Sequence, residues 1–123
     1  MAPIAVGVPV IASLNGVTPS GWLAYAGLIQ DAGADALELN VFSLGSNPQE
    51  SGAQLELRTV QMVQAVRKAV RIPVAVKLSP YYTSLAHFAT KLDEAGADGL
   101  VLFNRFYQPD IDVEELQVRR QVH

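Results

Sequence analysis

The chain contains no cysteine, so it has no disulfide frame, no thiolate metal site and no thiol nucleophile. Its two histidines, His87 and His123, lie far apart and show no ligand spacing, so no metal site is expected. Charge is sparse, at 17% of residues, and its balance is slightly acidic, with 9 Lys and Arg against 12 Asp and Glu. That argues against nucleic acid or an anionic membrane surface as a partner, because both reward clustered cations. No apolar run approaches the roughly 18 residues of a membrane span. The first residues lack the basic segment that opens a secretory signal, so a cytoplasmic location is the expectation. What is present is apolar: half of the 123 residues, enough for one globular domain covering 1–123.

The chain repeats itself. Val8-Pro-Val-Ile-Ala-Ser-Leu14 recurs as Ile72-Pro-Val-Ala-Val-Lys-Leu78, 64 positions later (72 − 8). Asp31-Ala-Gly-Ala-Asp-Ala-Leu-Glu-Leu39 recurs as Glu94-Ala-Gly-Ala-Asp-Gly-Leu-Val-Leu102, 63 positions later (94 − 31). Two nearly equal offsets in register indicate a duplicated unit that reads strand, helix, Ala-Gly-Ala-Asp, strand.

Four short apolar runs, Pro9–Leu14, Ala36–Val41, Pro73–Leu78 and Gly99–Asn104, have the low charge of parallel strands covered by helices. Between them, three stripes carry helical spacing: Trp22, Tyr25, Ala26 and Ile29; Val60, Val63, Val66 and Val70; Leu85, Phe88, Ala89 and Leu92. Thr18-Pro19 suits a helix start, and Thr83 or Ser84 can cap the third helix. Gly33 and Gly96 stand where a left-handed C-terminal residue is needed. Asp112-Val-Glu-Glu115 resembles a capping box opening a last helix that ends near Gln121. The expected fold is α/β: four parallel strands alternating with helices, a (β/α)4 half of a TIM barrel. The long Phe42–Ala53 segment follows the second strand's C-terminal end, where long loops are usually functional.

Side chains alternate along strands, so one face carries Val10, Ala12, Leu14, Val74, Val76 and Leu78 toward the helices. The other carries Ile11, Ser13 and Asn15, then Ala36, Glu38 and Asn40, then Ala75 and Lys77. Its polar residues gather at the strands' C-terminal ends, where ligands bind in barrels and open α/β sheets. Each also has a structural reading: Lys77 paired with Glu38, Asn40 and Asn104 as turn or cap residues. Alternation from Leu100 and Leu102 turns Asn104 outward, so the fourth strand must bend or end there.

The runs Ile11-Ala-Ser-Leu-Asn15, Ala34-Asp-Ala-Leu-Glu-Leu-Asn40, Val74-Ala-Val-Lys-Leu-Ser-Pro80 and Ala97-Asp-Gly-Leu-Val-Leu-Phe-Asn104 resemble consecutive strands of dihydroorotate dehydrogenases and their dihydropyrimidine dehydrogenase relatives. The likeness runs from about Val8 to Val113 and corresponds to the third through sixth strands of an FMN-binding (β/α)8 barrel. It implies an FMN-dependent oxidoreductase acting on a pyrimidine-like substrate. It further implies that Asn40 contacts flavin and substrate, that Lys77 approaches the flavin ring, and that Asn104 binds the substrate. Counting along the loop puts Ser43 at the position of the family's catalytic base.

The sequence also departs from that family. Where Ser43 should be followed by Pro-Asn it is followed by Leu44-Gly45, and no partner that would make it a base stands near it in sequence. The strands whose glycine-rich ends hold the FMN phosphate have no counterpart here, and there is no G-x-G-x-x-G. Two readings stay open: an FMN oxidoreductase fragment, or a non-catalytic half-barrel kept folded by self-association as a homodimer or higher homo-oligomer. A hydrolase built from Ser43 or Ser46 with His87 lacks a G-x-S-x-G elbow, which leaves at most an adventitious esterase.

Overall fold

The computed structural model describes residues 5–15, 19–43, 45–105, 107–112 and 117–122, with backbone alone for residue 19 and for the last two stretches. Strands β1 (Ile11–Asn15), β2 (Ala36–Asn40), β3 (Val74–Leu78) and β4 (Gly99–Leu102) form one parallel sheet in the order β1-β2-β3-β4. They alternate with helices α1 (Pro19–Asp31), α2 (Gly52–Ala69) and α3 (Leu85–Glu94). This is the expected arrangement of four parallel strands and intervening helices.

The helices cover one face of the sheet only. Leu37, Leu39, Val74, Val76 and Leu78 are fully buried beneath Trp22 and Ala26 of α1, Val63 and Val66 of α2, and Phe88 and Leu92 of α3. Burying such side chains is worth roughly 1.5–3 kcal/mol each, which makes this layer the main source of stability. Tyr25, expected in the α1 stripe, is instead 56% exposed; Trp22 and Ala26 fill that space.

Both copies of Ala-Gly-Ala-Asp build the same joint. Gly33 and Gly96 adopt φ of +96° and +106°, ending α1 and α3 in the left-handed conformation that glycine accepts without strain. The aspartate that follows reaches to the neighbouring strand: Asp35 Oδ2 accepts from Val10 N at 2.7 Å, and Asp98 Oδ2 from Val74 N at 2.8 Å. Each aspartate N–H also donates to that residue's carbonyl, at 2.9 Å for Asp35 and 2.7 Å for Asp98. These bonds set the registers of β1 against β2 and of β3 against β4. Asp98 additionally holds Arg67 Nη1 at 2.7 Å.

Three local expectations are corrected or refined. The proposed last helix from Asp112 to Gln121 is a hairpin: β5 (Tyr107–Asp112) pairs antiparallel with β6 (Gln117–Val122). The register sets Ile111 opposite Val118 and Tyr107 opposite Val122, and puts Asp110 opposite Arg119. The Tyr, Ile and Val residues of these two runs have strand propensity, which outweighs the capping-box-like start. Ser84 occupies the α3 N-cap position but its hydroxyl makes no capping bond. The true capping box opens α2, where Ser51 Oγ accepts from Gln54 N and Gln54 Oε1 accepts from Ser51 N. The Thr18 cap of α1 lies outside the described residues, although Pro19 does take the first helical position.

Candidate functional site

The uncovered face of the sheet carries the polar residues expected there. Register places Ser13, Glu38, Ala75 and Gly99 side by side, and above them Asn15, Asn40, Lys77 and Val101. Glu38, Asn40 and Lys77 are half-buried, while Ser13 and Asn15 are exposed.

Asn40 and Asn104 meet. β4 ends at Leu102, the Leu102–Phe103 peptide bond is cis, and Asn104 N then donates to Leu78 O at 2.7 Å. Ending the strand there turns Asn104 back over the sheet, where its Nδ2 donates to Asn40 Oδ1. Its own Oδ1 accepts from Arg105 N at 3.0 Å. Each amide oxygen accepts one of these bonds, and the Asn40 amide N–H groups donate to no partner among the described residues. Such an array suits a ligand rich in carbonyl or ring-nitrogen acceptors.

Lys77 stands beside Asn40 in register, on the strand between the two asparagines. The alternative of a Lys77–Glu38 ion pair is not what forms. Glu38 Oε1 accepts a long 3.4 Å bond from Ser13 Oγ, and among the described residues the ion pairs are Arg58–Glu50, Arg67–Asp98 and Lys91–Glu94. A half-buried ammonium with no carboxylate partner is costly in isolation and suits an electron-rich or anionic ligand. Ser13, on the same face by alternation, joins the site through its bond to Glu38. The Asp35–Val10 bond fixes the β1–β2 register and so sets Ser13 opposite Glu38.

Ser43 is half-buried on the segment past β2 and makes no hydrogen bond to Asn40, Lys77 or Asn104 among the described residues. His87 is exposed on α3, among the helices that cover the opposite face, so it forms no triad with Ser43 or Ser46. No group of three or more His, Cys, Asp or Glu suited to a metal occurs among the described residues. No helix there is long and apolar enough to cross a membrane.

At the same end of β3, on the helix side, Ser79 is buried and Tyr82 stacks on Phe88 with ring centroids 4.5 Å apart. The Tyr82 hydroxyl is buried without a well-formed hydrogen bond. Burial, with a smaller push from the Glu56 carboxylate, raises its pKa to about 12, and the nearby Ser79 side chain offsets part of that rise.

Comparison with known proteins decides the family. A family model described as dihydroorotate dehydrogenase matches residues 3–122. The chain belongs to the dihydroorotate dehydrogenase family. "Putative dihydroorotate dehydrogenase A (fumarate)" of Aeropyrum pernix is 40% identical over 111 residues, which cover 86% of this chain and 35% of that protein. "Dihydroorotate dehydrogenase B (NAD(+)), catalytic subunit" of Methanocella arvoryzae is 38% identical over 112 residues, covering 87% and 35%. The chain thus spans about a third of the length of these dihydroorotate dehydrogenase relatives. Among solved structures, a "putative dihydrodipicolinate synthetase from Pseudomonas aeruginosa" superposes with a TM-score of 0.58 at 20% identity. That match covers 76% of this chain and 31% of the other, and it speaks to the fold alone.

Proposed function

We propose that this chain supplies the strand-end wall of a dihydroorotate dehydrogenase-type site, the part that faces the flavin ring and a pyrimidine-like substrate. The observation that carries the reading is the Asn104–Asn40 hydrogen bond spanning β3, the strand that bears Lys77. A dicarbonyl heterocycle needs fixed N–H donors, and two tethered amides carry such donors. Lys77, with no carboxylate partner among the described residues, would set positive charge beside the ring.

FMN fits this wall in part. The donor set suits the ring. The phosphate needs clustered backbone N–H groups or a helix N-terminus, and no G-x-G-x-x-G stands in this sequence to supply the former. Bound FMN would supply the electron acceptor for oxidation of the substrate. Asn40 and Asn104 would orient ring and substrate, and Ser43 stands at the position from which a substrate proton would be taken. Ser43 has no hydrogen-bonded partner among the described residues to raise its basicity, so the 123-residue chain alone is expected to bind the ring without oxidising dihydroorotate.

The test is a titration of the purified chain with FMN, followed by quenching of flavin fluorescence, in wild type and Lys77→Met. Saturable quenching that weakens in Lys77→Met supports the reading. No quenching at millimolar flavin, or the same affinity in both proteins, removes it.

A further inference from the structure

The segments that leave β2 and β3 are the nearest neighbours of Asn40 and Lys77 along the chain, and neither brings a cation. From Val41 to Leu57 and from Leu78 to Ala86 the sequence holds no Lys, Arg or His. Aromatic residues follow the polar ones instead. Phe42 comes two positions after Asn40, and Tyr81 four positions after Lys77. Both strands lie inside the sheet, each with a strand on either side, so neither residue belongs to a sheet edge.

Val41 N donates to Lys77 O at 3.1 Å, so the two strands stay paired one residue past the end of β2. Val41 is buried among the helix-side residues, and alternation turns Phe42 to the open face, next beyond Asn40. It is 36% exposed there. On the adjoining strand Tyr82 stacks on Phe88, and Ser79 Oγ accepts from Tyr81 N at 3.5 Å. Those contacts hold the turn after β3 and leave Tyr81 43% exposed at the strand end. Two large rings thus stand just beyond the amide and the ammonium, on the same pair of strands.

We propose, on the footing of the function given above, that Phe42 and Tyr81 select the substituent carried by the pyrimidine-like ring. The ring this chain takes then bears an uncharged apolar or aromatic group in preference to a carboxylate. A carboxylate leaving water needs a cation or several N–H donors to offset its desolvation. Lys77 is the one cation among the open-face residues of β1–β4, and in the proposed function it faces the flavin ring. Of the segments that follow the four strands, only the one after β4 holds a cation, Arg105, beyond Asn104 and two strands from Phe42. Glu38, one layer below Asn40, adds like charge. An apolar or aromatic substituent meets none of these costs and gains by leaving water against the two rings.

The experiment compares three rings that differ at one carbon: uracil, its 6-carboxylate orotate, and 6-phenyluracil. Each is titrated into the purified chain and followed by saturation-transfer NMR. Wild type should bind 6-phenyluracil at least about fivefold tighter than orotate, the scale of one aromatic contact. Phe42→Ala and Tyr81→Ala should each remove most of that preference while leaving uracil binding within about twofold. Phe42→Arg should turn the preference toward orotate. A smaller ratio in wild type, or a preference for orotate, overturns the inference. Equal losses of uracil and 6-phenyluracil in Phe42→Ala overturn it too, because the ring then supports the fold and not the choice of substituent. The proposed function is read separately, from uracil binding that weakens in Asn104→Ala. If none of the three rings binds, or Asn104→Ala changes nothing, that function fails and this inference with it. If Phe42→Ala does not fold, as judged by circular dichroism, the wild-type ranking of orotate against 6-phenyluracil decides alone.

Discussion

Asn104 donates a hydrogen bond to Asn40 across the strand that lies between them, so the ends of β2 and β4 are tied together above β3 and Lys77. One bond thus restrains both amides. Replacing Asn104 with Ala frees the Asn40 amide to rotate, and replacing Asn40 removes its donors directly. Each single variant should weaken flavin-ring binding about tenfold, equivalent to ~1.4 kcal/mol. The double variant should lose less than the two losses added together, because both act on one unit. Additive losses in a double-mutant titration would mean that the asparagines act separately.

The repeated aspartates should differ in weight. Asp35 holds one backbone N–H, whereas Asp98 holds Val74 N and Arg67 together. Asp98→Ala leaves the half-buried Arg67 guanidinium without its carboxylate and should cost about 2–3 kcal/mol, against about 1 kcal/mol for Asp35→Ala. Urea unfolding of the two variants measures the difference. Equal losses would show that the Arg67 contact contributes nothing.

The two left-handed glycines give a cleaner contrast. At Gly33 an added Cβ meets nothing within 4 Å, while at Gly96 it would lie 2.6 Å from Arg67 Cγ. Both alanine variants bear the cost of a positive φ, roughly 1–2 kcal/mol. Gly96→Ala must also displace the Arg67 stem that reaches Asp98. Its melting temperature should therefore fall further than that of Gly33→Ala.

Tyr82 makes stability pH-dependent on the alkaline side. Its folded pKa, about 12, lies above the ordinary tyrosine value of 10.0, so between those values the folded state keeps a proton that the unfolded state has released. Stability is then unaffected by this group below pH 10 and falls as pH rises toward 12. Tyr82→Phe should flatten that fall. A matched alkaline slope in wild type and variant, measured by urea unfolding, would assign the loss to other groups.

Much of this was legible in the residues, for identifiable reasons. The duplicated Ala-Gly-Ala-Asp placed two helix ends and two strand starts, because only glycine takes the left-handed turn and only a short acid there reaches the adjacent strand. Strand alternation placed Glu38, Asn40 and Lys77 on the open face. Asn104 was harder: the alternation from Leu102 points it away, and only the end of β4 brings it to Asn40. The antiparallel pair Tyr107–Asp112 with Gln117–Val122 is not legible, since Asp112-Val-Glu-Glu115 looks like a helix cap while strand pairing depends on register. The Ser51-Gln54 capping box of α2 is legible as Ser followed three residues later by Gln, whereas Ser84 takes the α3 cap position without a capping bond.

The most direct measurement compares FMN with riboflavin, which has the same ring but no phosphate, by fluorescence titration of the 123-residue chain. In the proposed function Asn40, Lys77 and Asn104 hold the ring and not the phosphate, so the two affinities should agree within about twofold, and both should fall in Lys77→Met. FMN binding tenfold or more tighter, a gap of ~1.4 kcal/mol, would mean that the chain holds the phosphate by groups outside this wall. That result, or binding indifferent to Lys77, would contradict the account.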